Sequence, residues 1–185
     1  MASTAYWDVN AAKSIVLIGM MGAGKSSVGR CLQRRTGLVR LDTDEIVAAE
    51  FEMPIAQIFG KHGEEKFRDA ETEVLRKLAP DRPAVIVTGG GIVLRRENVD
   101  LLKQLGTVVW LIADKATLFE RAARRDHRPL LQTENPRDVF SQLFRERETL
   151  YAAAADIRIE TSRITHDEVA ETILNKLEEF SSLRQ

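Results

Sequence analysis

The stretch Gly19-Met20-Met21-Gly22-Ala23-Gly24-Lys25-Ser26 has the residue types and spacing to hold a phosphate chain. It reads G-x-x-x-x-G-K-S/T. It follows the apolar run Ile15-Val16-Leu17-Ile18 and precedes the helical start Ser27-Val28-Gly29-Arg30-Cys31-Leu32, the context that makes the pattern a phosphate-binding loop. Glycines permit backbone angles that a Cβ forbids, so successive N–H groups can turn inward around an anion. The helix N-terminus adds free donors and a partial positive charge. Lys25 is expected to reach the β- and γ-phosphates of a nucleotide, and the Ser26 hydroxyl to ligate Mg²⁺. Gly22, Ala23, Gly24, Lys25, Ser26 and Ser27 form the expected nucleotide-binding set. The loop does not say where the γ-phosphate goes.

Other residues along the chain have chemistry to offer. Asp42-Thr43-Asp44 places two carboxylates at a strand end; each has the alternative reading of a helix cap, where Asp is favoured. Arg68 and Glu71 share a helix face at i, i+3, which taken alone describes a solvated pair of little value. Gly89-Gly90-Gly91 can bring main-chain donors close to a small ligand or form a plain turn. Arg124-Arg125-Asp126-His127-Arg128-Pro129 is a short basic loop. Arg147 lies among Arg145, Glu146 and Glu148, the composition of an exposed charged face. His62, His127 and His166 show no metal-ligand spacing.

The elements that must position these residues alternate between strand and helix. Strands are expected at Ser14 to Ile18, Leu38 to Leu41, Ala84 to Val87, Thr107 to Ala113 and Asp156 to Ile159. Helices are expected at about Lys25 to Arg35, Glu45 to Phe51, Pro54 to Phe59, Glu64 to Leu78, Glu97 to Leu105, Lys115 to Arg124 and from Pro136 past Arg147. Gly60 and Gly63 are expected to break the chain between the third and fourth of these. Thr165-His166-Asp167-Glu168 has the spacing of a capping box before the last helix, with Val169, Ile173, Leu174, Leu177 and Phe180 at helical period. Unbroken apolar strands alternating with helices imply an α/β fold: a five-stranded parallel sheet covered on both faces. Ligands bind beyond the carboxyl ends of such strands. The loop, the Asp pair and the triple glycine all fall at those ends.

Composition excludes several classes. The 185 residues suffice for one domain with a real core, and 44% hydrophobic with 30% charged is an ordinary globular balance. A net charge of -1 favours neither nucleic acid nor an anionic membrane. The single Cys31 allows no internal disulfide, suits a reducing compartment and is expected to be buried. Residues 1–13 lack the pattern of a signal peptide and read as a flexible lead-in, with Tyr6 and Trp7 pinned to the surface. No stretch has the apolar length of a membrane span. A cytoplasmic location is expected.

In their order along the chain, these residues resemble the shikimate kinase family, in the P-loop nucleoside-monophosphate-kinase-like class. The resemblance rests on residues 19–26, Asp42-Thr43-Asp44, Phe67-Arg68-x-x-Glu71 and Gly89-Gly90-Gly91, extended by Arg128-Pro129-Leu130-Leu131 and Arg147-x-x-Leu150-Tyr151. It implies a three-layer kinase domain over 14–185, with a substrate-binding region at about 45–79 and a lid at about 124–135. It implies transfer of the ATP γ-phosphate to the 3-hydroxyl of shikimate, with Mg²⁺, by a monomer. By position, Asp44 resembles the residue that holds the substrate hydroxyls and serves as candidate base. Arg68 and Arg147 resemble a clamp for the substrate carboxylate, and Gly89, Gly90 and Gly91 the backbone beside its ring. Ser26 and Asp42 resemble the Mg²⁺ shell, Asp42 acting through water, and Arg128 the lid arginine that reaches the phosphates beside catalytic Lys25. Arg124 or Arg125, and Arg163, are the candidates on the adenine side.

Two other readings stay open on residues alone. One is a nucleotide or sugar-acid kinase on the same fold. The other is a non-catalytic ATP-binding protein, which should show decay at Lys25, Asp44, Arg68 or Arg147, and all four are present.

Overall fold

The computed structural model of the chain describes residues 13–78, 82–124 and 129–182. Five strands form one parallel sheet: β1 (Ser14–Ile18), β2 (Val39–Asp42), β3 (Ala84–Val87), β4 (Gly106–Ile112) and β5 (Ile157–Glu160). Their spatial order is β2-β3-β1-β4-β5. The central strand β1 aligns Ile15 with Val85 on one side and Val16 with Val108 on the other. The buried strands β1 and β3 are apolar almost throughout, as a sheet covered on both faces requires. The edge strands are not. Val39 is 62% exposed, and β5 alternates buried Ile157 and Ile159 with exposed Arg158 and Glu160, so the continuous apolar run expected of every strand fails where one face meets water.

Helices cover both faces. On one side α1 (Lys25–Thr36) packs on β3 and against α7 (His166–Ser182). On the other, α4 (Arg96–Leu105) packs on β4, and α6 (Pro136–Ala154) packs on β4 and against α5 (Lys115–Ala123). The main core runs through all of these, from Ile15 and Leu32 to Tyr151 and Ile173, and includes buried Cys31. The capping box is formed: the Thr165 N–H donates to Glu168 Oε2 at 2.7 Å, and the Glu168 N–H donates to Thr165 Oγ1 at 3.3 Å.

Two further helices follow β2: α2 (Thr43–Glu50) and α3 (Ile55–Lys77). They share a small core of their own, Val47, Ile58, Phe67, Ala70 and Val74. The expected double break before Arg68 is corrected here. Gly60 does not break the chain; it stays helical within α3. The break is at Gly63 alone, with φ 82° and ψ 168°, angles that a side chain would strain. The strand β2 also runs one residue later than expected, and α2 starts earlier, because Asp42 both ends the strand and caps the helix. Among the described residues no helix is long and apolar enough to cross a membrane. Tyr6, Trp7 and the rest of the lead-in up to residue 12 lie outside the described residues, as do Arg125 and Arg128 of the expected lid.

Candidate active site

The carboxyl ends of β1, β2 and β3 bring the expected residues to one edge of the sheet. The loop after β1 turns at Gly22 and Gly24, with φ 87° and 89°, and is tied by the Ala23 N–H to the Met20 carbonyl at 3.1 Å. Its backbone leaves no room on two sides. A Cβ on Gly22 would enter the Leu118 backbone of α5, and one on Gly24 would lie 3.1 Å from Nε2 of His166. Lys25 is the first residue of α1 and is buried; its Nζ donates to the carbonyls of Gly19 at 2.7 Å and Met20 at 3.2 Å. Ser26 and Ser27 follow in the first turn, half-buried. Ser27 Oγ accepts from Arg30 Nη2 at 3.3 Å.

Asp42 is the N-cap of α2: Oδ1 accepts the Asp44 N–H at 3.2 Å, and Oδ2 accepts from Arg40 Nη1 at 3.0 Å. Burial raises its carboxyl above the ordinary range, with nearby Glu45 adding to the shift and Arg40 opposing it. Asp44 lies one residue into the helix, half-buried. A Cβ built on Gly89 would lie 2.6 Å from both Asp44 Oδ1 and Glu71 Oε1, so the two carboxylates converge over the start of the glycine run. The Gly89 N–H itself is used within the protein, donating to Thr43 Oγ1 at 3.4 Å.

The two arginines expected as a clamp are neither solvated nor remote. Arg68 is 8% exposed and Arg147 is 2% exposed, so the exposed charged face that composition suggests for Arg147 is not its environment. It lies on the side of α6 turned to the sheet, because α6 packs on the turn at Ile92–Leu94 after β3. Arg147 Nη1 donates to the Gly90 carbonyl at 3.2 Å, and the Tyr151 hydroxyl donates to the same oxygen. A Cβ on Gly91 would fall onto the Arg68 guanidinium. Gly90 and Gly91 therefore join the two arginines, one from α6 and one from α3.

Their electrostatics differ. Arg68 is fully engaged within α3, with Nη1 on Glu71 Oε2 and with Nη2 and Nε on Glu64 Oε1 at 2.7 and 3.2 Å. Arg147 is buried without a carboxylate within 4 Å among the described residues, and its Nε has no hydrogen-bond partner. A buried guanidinium left unpaired is costly, and an anion entering beside Arg68 would relieve that cost.

Two residues of this site had no assigned role at the level of sequence. Glu71 is fully buried beside Arg68, and its Oε1 lacks a partner among the described residues. Burial raises its carboxyl to about 7, against the opposing pull of Arg68, and the Asp44 charge adds to the rise. Tyr151 stacks on Trp110, with ring centroids 5.8 Å apart, and burial holds its phenol up at about 12. Both stood in the motifs Phe67-Arg68-x-x-Glu71 and Arg147-x-x-Leu150-Tyr151; spacing alone says they share a face with an arginine, not that the face is interior.

On the nucleotide side, Arg124 caps α5 and Arg163 lies in the connection after β5, both exposed. The arginine that joins these elements is Arg121. Its Nη2 donates to the carbonyls of Thr161 at 3.1 Å and Ser162 at 3.3 Å. Arg128 lies outside the described residues.

For Mg²⁺, the donors present fit the ion: a serine hydroxyl and a carboxylate, both hard oxygen ligands. Asp42 keeps lone pairs after its cap and its bond to Arg40, which suits contact through water. Among the described residues, no three of His, Cys, Asp or Glu are grouped as a metal cage.

Known proteins match this arrangement. The shikimate kinase family model matches residues 21–178. A shikimate kinase of Thermodesulfovibrio yellowstonii is 43% identical over 170 residues, covering 92% of this chain and 98% of the relative. One of Moorella thermoacetica is 49% identical over 148 residues, covering 80% and 84%. Among solved structures, the shikimate kinase from Acinetobacter baumannii in complex with shikimate superposes with a TM-score of 0.87 at 37% identity, covering 91% of this chain and 94% of that one. A likeness this high over nearly the whole length is that of kin and not of shared architecture alone: the chain belongs to the shikimate kinase family, and it is an ATP-dependent kinase.

Proposed function

We propose that this chain transfers the γ-phosphate of ATP to the 3-hydroxyl of shikimate, giving shikimate 3-phosphate and ADP on the route to chorismate and the aromatic amino acids. The observation that carries the reading is Arg147, a buried guanidinium without a carboxylate partner among the described residues, placed across Gly90 and Gly91 from Arg68. A carboxylate fits arginine's fork geometry, and shikimate is an anionic polyol.

In this reading the Gly22–Ser27 backbone and Lys25 hold the phosphates; Lys25 leaves the Gly19 and Met20 carbonyls to do so. Ser26, and Asp42 through water, hold Mg²⁺, which when bound neutralises developing phosphate charge. Arg68 and Arg147 clamp the carboxylate, and Gly90 and Gly91 present backbone to the ring. Asp44 accepts the proton of the 3-hydroxyl as its oxygen bonds to the γ-phosphorus. The bond from that phosphorus to the bridging oxygen breaks, and its electron pair leaves on ADP. Arg128 closes over the phosphates from a lid at about 124–135, and Arg124 and Arg163 lie toward the adenine. Little covalent help is needed; alignment and charge neutralisation carry the rate. We infer a cytoplasmic monomer with no nucleic-acid or membrane partner; the single Cys31 supports the compartment and the net charge of -1 the lack of those two partners.

A coupled ADP-release assay with ATP and Mg²⁺ tests the proposal. Turnover is expected with shikimate and not with gluconate or a nucleoside monophosphate. Lys25→Ala should lose about 3–4 kcal/mol of transition-state stabilisation while remaining folded. Turnover with gluconate or a nucleotide but not shikimate would overturn the assignment.

A further inference from the structure

Arg68 offers two edges to an anion. The Nη1 side faces Glu71, which is fully buried, with no room to leave. The Nε–Nη2 edge, the fork that suits a carboxylate, is held by one oxygen of Glu64 at 3.2 and 2.7 Å. The Glu64 side chain is 46% exposed while that of Arg68 is 9% exposed, so this carboxylate approaches the guanidinium from the solvent side. It also stands immediately after the break at Gly63.

The local charge balance makes this contact consequential. Two guanidinium groups, Arg68 and Arg147, face three carboxylates, Asp44, Glu71 and Glu64. With Glu64 on the Nε–Nη2 edge, a further carboxylate must displace it to use that fork. Glu71 is fully buried and Asp44 half-buried; Glu64 is the most exposed of the three.

We propose that Glu64 is a built-in competitor for the substrate carboxylate. It occupies the fork of Arg68 in the empty site, is displaced when the substrate binds, and so sets the affinity for the acceptor. The inference rests on the reading of Arg68 as part of the carboxylate clamp. An exposed carboxylate bridging an arginine is worth little in water, so the competition is mild and reversible: it lowers affinity without blocking the site.

The test is Glu64→Gln, which keeps the shape and removes the charge, with Glu64→Ala as a second variant. Both should lower the shikimate KM, and the Kd from calorimetry without ATP, by about two- to fivefold, with the ATP KM as internal reference. The methyl ester of shikimate, assayed as a competitive inhibitor, has no carboxylate to compete and should show the same Ki against wild type and both variants. An unchanged or raised shikimate Kd in both variants overturns the inference. So does an ester Ki that shifts in parallel with shikimate, which would make Glu64 a structural support. Failure of the wild type to phosphorylate shikimate would instead overturn the proposed function, and this inference with it.

Discussion

Arg68 and Arg147 are both buried, but they are not equivalent. Arg68 compensates Glu71, which has no exposure, while Arg147 has no carboxylate within 4 Å among the described residues. If both hold one carboxylate, Arg68→Ala and Arg147→Ala should each cost about 2–4 kcal/mol in kcat/KM for shikimate. Saturation by ATP should barely change. The double mutant should cost less than the sum, because the two share one partner. Arg→Lys should also hurt, since an ammonium cannot reproduce the fork. The stability cost should fall on Arg68→Ala, which strands the Glu71 carboxylate, and much less on Arg147→Ala; urea unfolding separates the two effects. Normal shikimate kinetics in both single mutants would refute the clamp. Glu71 carries a second prediction. Its folded-state carboxyl titrates near 7 against an ordinary 4.5, so between these values the native state holds the extra proton. Its contribution to stability therefore falls as pH rises through that window. Urea midpoints of wild type relative to Glu71→Gln should decline from about pH 4.5 to about pH 7; a flat difference would refute the shift.

The element that presents Arg68 to the proposed clamp is α3, and its two glycines should answer oppositely to the same change. Gly60 is helical, and no heavy atom lies within 4 Å of where its Cβ would sit. Gly60→Ala should stabilise by about 0.4–1 kcal/mol, because alanine loses less backbone freedom on folding. Gly63 has the same open surroundings but φ 82°. Gly63→Ala should destabilise by about 1–3 kcal/mol, the range for a strained backbone position. It should also raise the shikimate KM, because the break orients the segment that carries Glu64 and Arg68. Thermal or urea unfolding of the two variants side by side checks both signs. Opposite effects from chemically identical substitutions leave only the backbone angle as the cause.

For the whole molecule, the nucleotide loop after β1 and the proposed acceptor site at β2, β3, α3 and α6 sit on one sheet edge but on different elements. Each ligand should therefore stabilise the fold by itself. At about a hundredfold excess over Kd, a ligand adds about 2.7 kcal/mol. For a chain of this size that raises Tm by about 5–10 °C. Scans with shikimate alone, Mg²⁺-ADP alone and both together should give two separate shifts. A nucleotide shift without one from shikimate would mean the acceptor site binds something else.

Much of this was legible locally. The phosphate loop, the strand and helix order, the capping box at Thr165 and Glu168, and the ordered motifs all follow from neighbours within a few residues, because turns, caps and periodicity are short-range effects. The boundaries that moved did so for local reasons too: Asp42 served strand and cap at once, and Gly60 was tolerated where Gly63 broke. The burial of charge was not legible. Arg147 among Arg145, Glu146 and Glu148 reads as solvent-facing, and Arg68 with Glu71 reads as a surface pair. Only the packing of α6 on the turn after β3, and of α3 across Gly91, placed those groups inside. A charge's environment is set by elements far away in sequence, so the types of the proposed catalytic and clamping residues belonged to the sequence by itself, while the convergence of Arg68 and Arg147 on the glycine run, the lack of a carboxylate beside Arg147 and the raised carboxyl of Glu71 were decided by tertiary structure.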